Sequence, residues 1–307
     1  MKVSIVTPSY NQAQFLEETI LSVLDQDYPD VEYAVVDGGS TDGSVEIIRR
    51  YEDRLAWWQS APDRGQPDAI NQGFARATGD ALAWLNSDDT LLAGAVAEMV
   101  SELEADPTLV MVYGDALYID EGSNRTGYLA SRRWDPAEMV RCCDNHVVQP
   151  SAMWRREAWE RAGPLNEDAY YFFDFEFILR LSVLGTVKRV PRPWATYREH
   201  PASKTMGDQV RKAEDYLRFA DKWLQSGELP EGLRRYVRQS RSSARLAAGD
   251  YLYWELDLPR ARRTLWAGLA LYPRNASRRS LPLAFKSLLP KPVVRRLRAR
   301  RNAARRG

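Results

Sequence analysis

Two neighbouring carboxylates, Asp88 and Asp89, end the stretch Ala81-Leu82-Ala83-Trp84-Leu85-Asn86-Ser87-Asp88-Asp89. Side by side they repel each other unless a cation or solvent screens them. Hard divalent ions such as Mg²⁺ and Mn²⁺ take oxygen ligands and often bridge one or two carboxylates to a diphosphate. A solvated turn that caps a following helix near residues 93–106 accounts for the same pair, because Asp is an ordinary cap residue. The apolar run ahead of the acids, bounded by Gly79-Asp80, suits a strand buried on both faces of a sheet. Acids at the carboxyl end of such a strand sit where open α/β sheets bind ligands.

The elements that position this stretch follow from the rest of the pattern. Val3 to Pro8 reads as a first strand, with Ser9-Tyr10-Asn11 as a loop after it. Phe15, Ile20, Val23 and Leu24 follow at helical spacing, and Pro29 ends that segment. Tyr33 to Val36 is a second buried strand, with Asp37 at its carboxyl end. The loop from Gly38 to Ser44 enters a helix running to Tyr51. Leu55 to Trp58 is a short third strand, and Ala69 to Ala77 is helical. Strand and helix alternate through the fourth strand, which predicts a largely parallel sheet.

Leu109 to Asp115 is a fifth strand, and residues 116–131 suit a hairpin turning at Glu121-Gly122-Ser123-Asn124. Residues 132–149, with Trp134, both cysteines and His146, read as an irregular, site-facing segment. A short helix at 155–162 and a very aromatic one at 170–181 follow. After about Thr205 the texture turns helical, with helices expected at 210–224, 232–248, 250–256 and 259–272. The phrase from Ala248 to Pro273 resembles one tetratricopeptide-like helical pair. As a single copy it reads as an appendage, since a solenoid needs stacked repeats.

A chain of 307 residues, 44% hydrophobic, is long enough for one large domain or two smaller ones. It has no run of about 18 apolar residues, so no membrane-spanning helix is expected. Met1-Lys2-Val3-Ser4-Ile5-Val6 runs straight into a strand pattern and does not read as a signal peptide. Cys142 and Cys143 are adjacent and poorly placed to bridge each other, so no disulfide framework is expected. A reducing cytoplasm is the expected compartment. The net charge of +1 hides a split. Residues 1–200 hold 18 Lys/Arg against 33 Asp/Glu, and residues 201–307 hold 25 against 9. Such asymmetry argues for two regions with different partners.

Six motifs in order give the front of the chain a family likeness. They are Thr7-Pro8-Ser9-Tyr10-Asn11, then Val36-Asp37-Gly38-Gly39-Ser40-Thr41-Asp42-Gly43-Ser44, then Asp63-Arg64-Gly65-Gln66. Trp84 to Asp89, Phe173-Asp174-Phe175-Glu176 and Tyr197-Arg198-Glu199-His200 complete the set. Residues 1–204 resemble the family-2 glycosyltransferases of GT-A fold; residues 205–307 lie outside the resemblance. The implied fold is α/β, a Rossmann-like and mostly parallel sheet flanked by helices, with a C-terminal α-helical extension. The implied domains are a GT-A domain at 1–204 and a helical extension with a basic tail at 205–307.

The resemblance implies a hexosyltransferase-type enzyme that moves a sugar from a nucleoside diphosphate donor to an acceptor hydroxyl, with inversion at the anomeric carbon. A UDP-sugar is the expected donor, and dTDP and GDP stay open. A saccharide or lipid-linked saccharide is the expected acceptor, in cell-surface or exopolysaccharide synthesis. It places Thr7, Pro8, Tyr10 and Asp37 at the nucleotide base, where a carboxylate accepts the imide N–H of uracil; Asn11, Asp63, Gln66, Asn71 and Ser87 complete the expected donor pocket. A helix-cap or turn role is the alternative for Asp37. The family's metal motif usually reads Asp-Ser-Asp-Asp, whereas this chain has Asn86 in the first place. Asn86 retains hydrogen bonding to the donor ribose. The implied ligands of Mn²⁺ or Mg²⁺ are Asp88, with Asp89 in or near the coordination shell, and His200.

Asp174 matches the family's catalytic base. A carboxylate among apolar neighbours is suited to take the acceptor's proton. Glu176 is the rival, and both acids also suit a helix start. His146 falls where the acceptor side is expected, and Arg180 suits a buttress of the aromatic helix.

The tail is a separate matter. Lys291, Arg295, Arg296, Arg298, Arg300, Arg301, Arg305 and Arg306 follow an apolar stretch, Leu281, Leu283, Ala284, Phe285, Leu288 and Leu289. Together they suit an anionic membrane surface, placing the protein peripherally on the inner face of the membrane. No nucleic-acid motif accompanies the charge, so nucleic acid is not the expected partner; a solvated tail accounts for the same residues. Two other functions compete. A nucleotidyltransferase would carry a Gly-rich basic phosphate loop after the first strand, which this chain lacks. A non-catalytic sugar-nucleotide scaffold would not need a positioned base.

Overall fold

The computed structural model describes residues 1–204 and 207–303, with side chains up to Leu297. In chain order the first elements are β1 (Val3–Ser9), α1 (Ala13–Leu24), β2 (Val31–Asp37), α2 (Ser44–Arg50), β3 (Trp57–Ser60) and α3 (Gln66–Arg76). Next come β4 (Ala81–Trp84), α4 (Ala95–Ala105), β5 (Leu109–Ile119), β6 (Arg125–Leu129), α5 (Pro136–Cys142) and β7 (Ala152–Arg155). Then follow α6 (Arg156–Ala162), α7 (Phe173–Leu181) and β8 (Thr186–Arg198). The helical end holds α8 (Gln209–Asp221), α9 (Val237–Trp254), α10 (Leu258–Leu271), α11 (Ser280–Lys286) and α12 (Lys291–Ala303).

The chain forms two compact units: residues 1–135 with 145–203, and residues 136–144 with 204–307. One eight-stranded sheet organises the first unit, in the order β3-β2-β1-β4-β7-β5-β6, with β8 also paired to β5. The four strands β3, β2, β1 and β4 are parallel, as the alternating pattern predicts. Their carboxyl ends therefore share one edge, and the loops after them meet there. Val3, Ile5, Val35, Ala81 and Ala83 on these strands pack with Leu16 and Ile20 of α1 and Met99 and Leu103 of α4 in one buried cluster.

Beyond β4 the sheet becomes mixed, because β7 lies antiparallel to both β4 and β5. Sequence patterning does not announce this strand: it has four residues and no alternation. The β5–β6 hairpin forms where expected. The third strand lies two residues later than the pattern places it, because Trp57 to Ser60 pair with Ala34 to Asp37 of β2. Residues 132–149 are less irregular than expected, since α5 forms within them and belongs to the second unit.

In the second unit, the two helices expected at 232–248 and 250–256 are one helix, α9. Gly249 does not break it. A Cβ there would meet Leu265 Cγ at 2.5 Å, so the glycine admits close approach of α10. Ala248, Leu252, Ala261, Leu265 and Leu269 form the centre of that unit's core.

One side chain ties β1, β2 and the loop before β4 together. Glu32 of β2 accepts hydrogen bonds from Ser4 Oγ and, at 2.8 Å each, from Thr78 N and Oγ1, with Lys2 Nζ at 3.4 Å. Burial by itself would raise this carboxyl, but the donors outweigh it and hold it at about 2. Depression from 4.5 to about 2, discounted for solvent screening of a partly buried carboxylate, corresponds to about 1–2 kcal/mol of stability, present above pH 4.5 and lost as the pH falls through 2. Glu32→Gln is therefore expected to cost about 1–2 kcal/mol at pH 7. Urea unfolding at pH 7, 5 and 3.5 should show the gap between variant and wild type closing only below pH 4.5.

Candidate active site

The loop after β4 runs Leu85-Asn86-Ser87-Asp88-Asp89, and the end of β8 lies against it. Arg198 is the link. Its side chain is fully buried, and its Nε donates to the Asp88 carbonyl at 2.8 Å. Nη1 donates to the Asp120 carbonyl and to Ser123 Oγ, both at 2.9 Å, and Nη2 pairs with Glu18 Oε2 at 2.6 Å. The guanidinium also lies 4.7 Å from the Phe15 ring centre. Helix α1, the post-β4 loop and the β5–β6 hairpin are thereby joined through one cation.

This bracket sends the two neighbouring acids to different places. Asp89 is buried; its Oδ1 accepts the Arg198 backbone N–H at 2.9 Å, and its Oδ2 faces Asn86 Nδ2 at 3.4 Å. Burial, and then the Asp88 charge, push its carboxyl well above the usual carboxylate range. Asp89 thus anchors the loop from within through the Arg198 backbone. Asp88 is partly exposed, and its Oδ2 lies 3.1 Å from His200 Nε2. The His200 ring is buried against Phe15, at 4.7 Å between ring centres, and its Nδ1 has no hydrogen-bond partner.

An oxygen and an imidazole nitrogen held this close form a donor set that suits Mn²⁺, with Mg²⁺ the less favoured ion for the nitrogen. Among the described residues no group of three or more His, Cys, Asp or Glu side chains gathers to hold a metal. Asp88 and His200 are the His and carboxylate side chains brought together at this loop.

The loops after β1 and β2 lace together. Asn11, at φ 51°, takes the left-handed conformation that Asn tolerates. Its N–H donates to Ser40 Oγ at 2.7 Å, and its Oδ1 accepts from Thr41 N at 2.9 Å. Asp37 is fully buried and accepts four hydrogen bonds, from Gly39 N, Ser40 N, Ser40 Oγ and Ser60 Oγ. Three of these bonds fall on Oδ2 and one, from Ser40 Oγ, on Oδ1, so the carboxylate holds the turn and Oδ1 keeps a second acceptor position. Thr7 and Pro8 are buried too, and Thr7 Oγ1 is spent on Tyr33 Oη at 2.9 Å. Tyr10 is 62% exposed.

Asp63 in the same region is engaged by fewer protein donors than Asp37. It is half-buried, accepts from Gly65 N at 2.7 Å, and lies so close to Gly38 that a Cβ there would meet Asp63 Oδ2 at 2.8 Å. Burial chiefly, with the Asp68 and Asp37 charges, raises its carboxyl. Gln66 donates to Asn86 Oδ1 at 2.6 Å, which brings those two predicted residues together. Ser87 is buried in the same loop. Asn71 clamps the backbone N–H and carbonyl of Leu165 at 2.8 and 3.0 Å.

Asp174 stands in the first turn of α7. Its Oδ1 accepts from Phe175 N at 2.7 Å, and its Oδ2 accepts from Asn145 Nδ2 at 3.1 Å. Glu176 is buried and accepts from Asn166 Nδ2 at 2.8 Å, so the rival acid serves the fold. Aromatic packing fixes the helix: Phe173 and Phe177 lie 6.0 and 6.3 Å from Trp84, the last residue of β4. Arg180 caps the carbonyls of Ala162, Gly163 and Pro164, the buttress expected of it.

Two residues escaped the sequence reading. Asn145 holds Asp174, and four residues on, Gln149 donates to the Trp84 carbonyl at 2.8 Å and faces Asn86 at 3.4 Å. The signal for them was only that amides flank His146 in an unpatterned stretch. His146 itself is buried, with Nδ1 on the Arg133 carbonyl at 2.9 Å and Nε2 without a hydrogen-bond partner.

Comparison with known proteins places this geometry. The family model described as "Glycosyl transferase family 2" matches residues 4–161, about half of the chain. The chain belongs to glycosyl transferase family 2. It is therefore a glycosyltransferase, which sets aside the nucleotidyltransferase and the scaffold. An uncharacterised glycosyltransferase of Nostoc sp. is 29% identical over 225 residues, 67% of each chain. The O-antigen biosynthesis protein RfbC of Myxococcus xanthus is 30% identical over 207 residues, 66% of this chain and 16% of that protein.

Among solved structures, S. aureus TarS matches with a TM-score of 0.63 at 16% identity, over 97% of this chain and 53% of TarS. The Pyrobaculum calidifontis mannosyltransferase PcManGT, in complex with GDP-Man and Mn²⁺, matches at 0.59 and 23% identity, over 94% of this chain and 79% of that one. These likenesses establish the GT-A fold of this glycosyltransferase.

The Arg198 bracket has a direct energetic consequence. Removing a buried, paired cation strands its partners and typically costs 3–5 kcal/mol. Arg198→Met, which keeps the bulk, is expected to destabilise the enzyme by about 3 kcal/mol in urea unfolding. Arg198→Lys should recover only part, since an ammonium lacks the planar fork that reaches Asp88, Asp120 and Glu18 together.

Proposed function

We propose that this glycosyltransferase inverts the anomeric carbon as it moves a sugar from a UDP-sugar to a hydroxyl of a saccharide or lipid-linked saccharide. The observation that carries the reading is a single segment, Asn145 to Gln149, that grips Asp174 at one end and the Asn86 loop at the other. A proton acceptor and an acidic ligand loop are thereby held in one hydrogen-bonded framework. Support for the donor class comes from TarS, which has been solved with UDP-GlcNAc, and from the GDP-Man complex of PcManGT. Support for a polysaccharide product comes from relatives named for O-antigen and teichuronic acid biosynthesis.

In the proposed reaction the acceptor oxygen attacks the anomeric carbon from the face opposite the diphosphate. Its proton passes to Asp174, and the bond to the diphosphate breaks with its electron pair leaving on the phosphate oxygen. Asn145 fixes the direction of the Asp174 carboxylate and donates to one oxygen. Asp88 and His200 would hold a divalent cation, Mn²⁺ before Mg²⁺. When bound, the cation neutralises the charge that develops on the departing diphosphate. Asp37, whose Oδ1 takes a single hydrogen bond, and Asp63, with Tyr10 on the loop after β1, are the carboxylates for the nucleobase side.

Nucleotide release from a panel of nucleotide sugars, with Mn²⁺ or EDTA, together with calorimetric UDP binding, tests this. Asp174→Asn should lower kcat by about 10³-fold while UDP affinity changes less than about threefold. His200→Ala should weaken Mn²⁺-dependent UDP binding by about tenfold or more. Equal loss of turnover and binding in Asp174→Asn would make that residue structural, and absence of metal-dependent nucleotide binding would remove the donor reading.

A further inference from the structure

Seven of the ten large apolar side chains most exposed among the described residues lie between 266 and 297. They are Trp266, Leu281, Phe285, Leu288, Leu289, Val293 and Leu297, each between 36% and 54% exposed. Leu288 and Leu289 lie in the turn between α11 and α12, and the helices that carry the other five are firmly seated. Leu283 and Ala284 of α11 and Val294 of α12 are buried in the core built on α9 and α10. What is exposed is therefore the outer side of packed helices. Leu281 and Phe285 are one turn apart on α11, as are Val293 and Leu297 on α12. The Trp266 and Phe285 rings meet edge to face at 5.3 Å, so α10 and α11 share the patch.

Charge of one sign surrounds it. From Leu258 to Gly307 the sequence holds 15 Lys/Arg and no Asp or Glu. Arg263, Lys286, Lys291, Arg295 and Arg296 are exposed, and none of them has an ion-pair partner among the described residues. Arg298, Arg300, Arg301, Arg305 and Arg306, singled out from the sequence, have side chains outside the described residues. A cationic rim around leucine, valine and aromatic side chains fits a surface that is anionic outside and hydrocarbon beneath. Nucleic acid would satisfy the cations and leave the aliphatic side chains in water.

We propose that this face of α10, α11 and α12 docks on an anionic lipid surface, with Trp266, Phe285 and Leu288 entering the headgroup region and the basic residues neutralising lipid charge. No helix among the described residues is long and apolar enough to cross a membrane, so the mode is peripheral. The inference is independent of the donor and acceptor assignments above.

Sedimentation of the full chain with vesicles tests it, using phosphatidylcholine alone and with 30% phosphatidylglycerol (about one anionic lipid in three, enough for a charged surface). Binding is expected only to the anionic vesicles, and to weaken sharply when salt rises from about 0.1 to 0.5 M. Removing both charges in Arg295→Gln/Arg296→Gln should weaken partitioning by about twentyfold, roughly fivefold per charge. Phe285→Ser/Leu288→Ser should weaken it at least about tenfold. Both variants should keep wild-type circular dichroism, Tm and UDP affinity. Equal binding to both vesicle types, wild-type partitioning by either variant, duplex DNA binding without vesicle binding, or lipid-free self-association lost in Phe285→Ser would each overturn the proposal.

Discussion

A guanidinium out of water must find acceptors for its N–H donors, and Arg198 places four hydrogen bonds by reaching into three separate parts of the fold. It bonds the Asp88 carbonyl, the Asp120 carbonyl, Ser123 and Glu18, while its own backbone N–H fixes Asp89. None of these partners is near it in sequence. A buried cation of this kind is weak as a source of net stability, because desolvation offsets most of its Coulomb gain. Its geometric demand is strong, since any displacement leaves a charge or a carbonyl unsatisfied. The loop that carries Asp88 is consequently fixed by β8, and His200, two residues past Arg198, is delivered to the Asp88 carboxylate by the same strand end.

A second constraint comes from β4 and the aromatic cluster below its end. Trp84 contacts Phe173 and Phe177 of α7 and lies edge-on to Trp154 of β7 at 4.8 Å. Rings of that size bury large areas and prefer tilted or edge-to-face packing, so the angle of α7 is set by them. Asp174, in the first turn of α7, therefore inherits its place from a tryptophan four residues before Asp88. The acidic loop and the proposed base thus depend on one strand from two directions: covalently through Leu85 to Asp88, and through packing of α7 on Trp84.

Second-row amides complete the arrangement. Gln66, Asn86 and Gln149 form a connected set around the loop, and Asn145, four residues before Gln149 in the chain, bonds Asp174. An amide can donate and accept at once, which lets such residues link acids without adding charge. With Asn86 in place of the family's usual first acid, the loop carries one fewer negative charge. Asp89 is already pushed toward its neutral form by burial and by Asp88, so a further carboxylate beside it would add to that cost.

Local sequence determined a good part of this protein by itself. Apolar runs ending in polar turns gave the parallel half of the sheet, because buried parallel strands have a composition and length that stand out. Motif order gave the family, and the positions of Asp88, Asp174 and His200 came with it. Tertiary structure alone decided which acid of each close pair faces inward. Asp88 and Asp89, like Asp174 and Glu176, are chemically alike and nearly adjacent, so their fates rest on Arg198 and Asn166, which are distant in sequence. It also decided that Asp37 holds its turn through four donors, that Asn71 clamps Leu165, and that Asn145 and Gln149 reach Asp174 and the Asn86 loop. Isolated polar residues in unpatterned segments carry no periodic signal. Their partners are chosen by where strands and helices bring the chain together, and that information is present only once the core has packed.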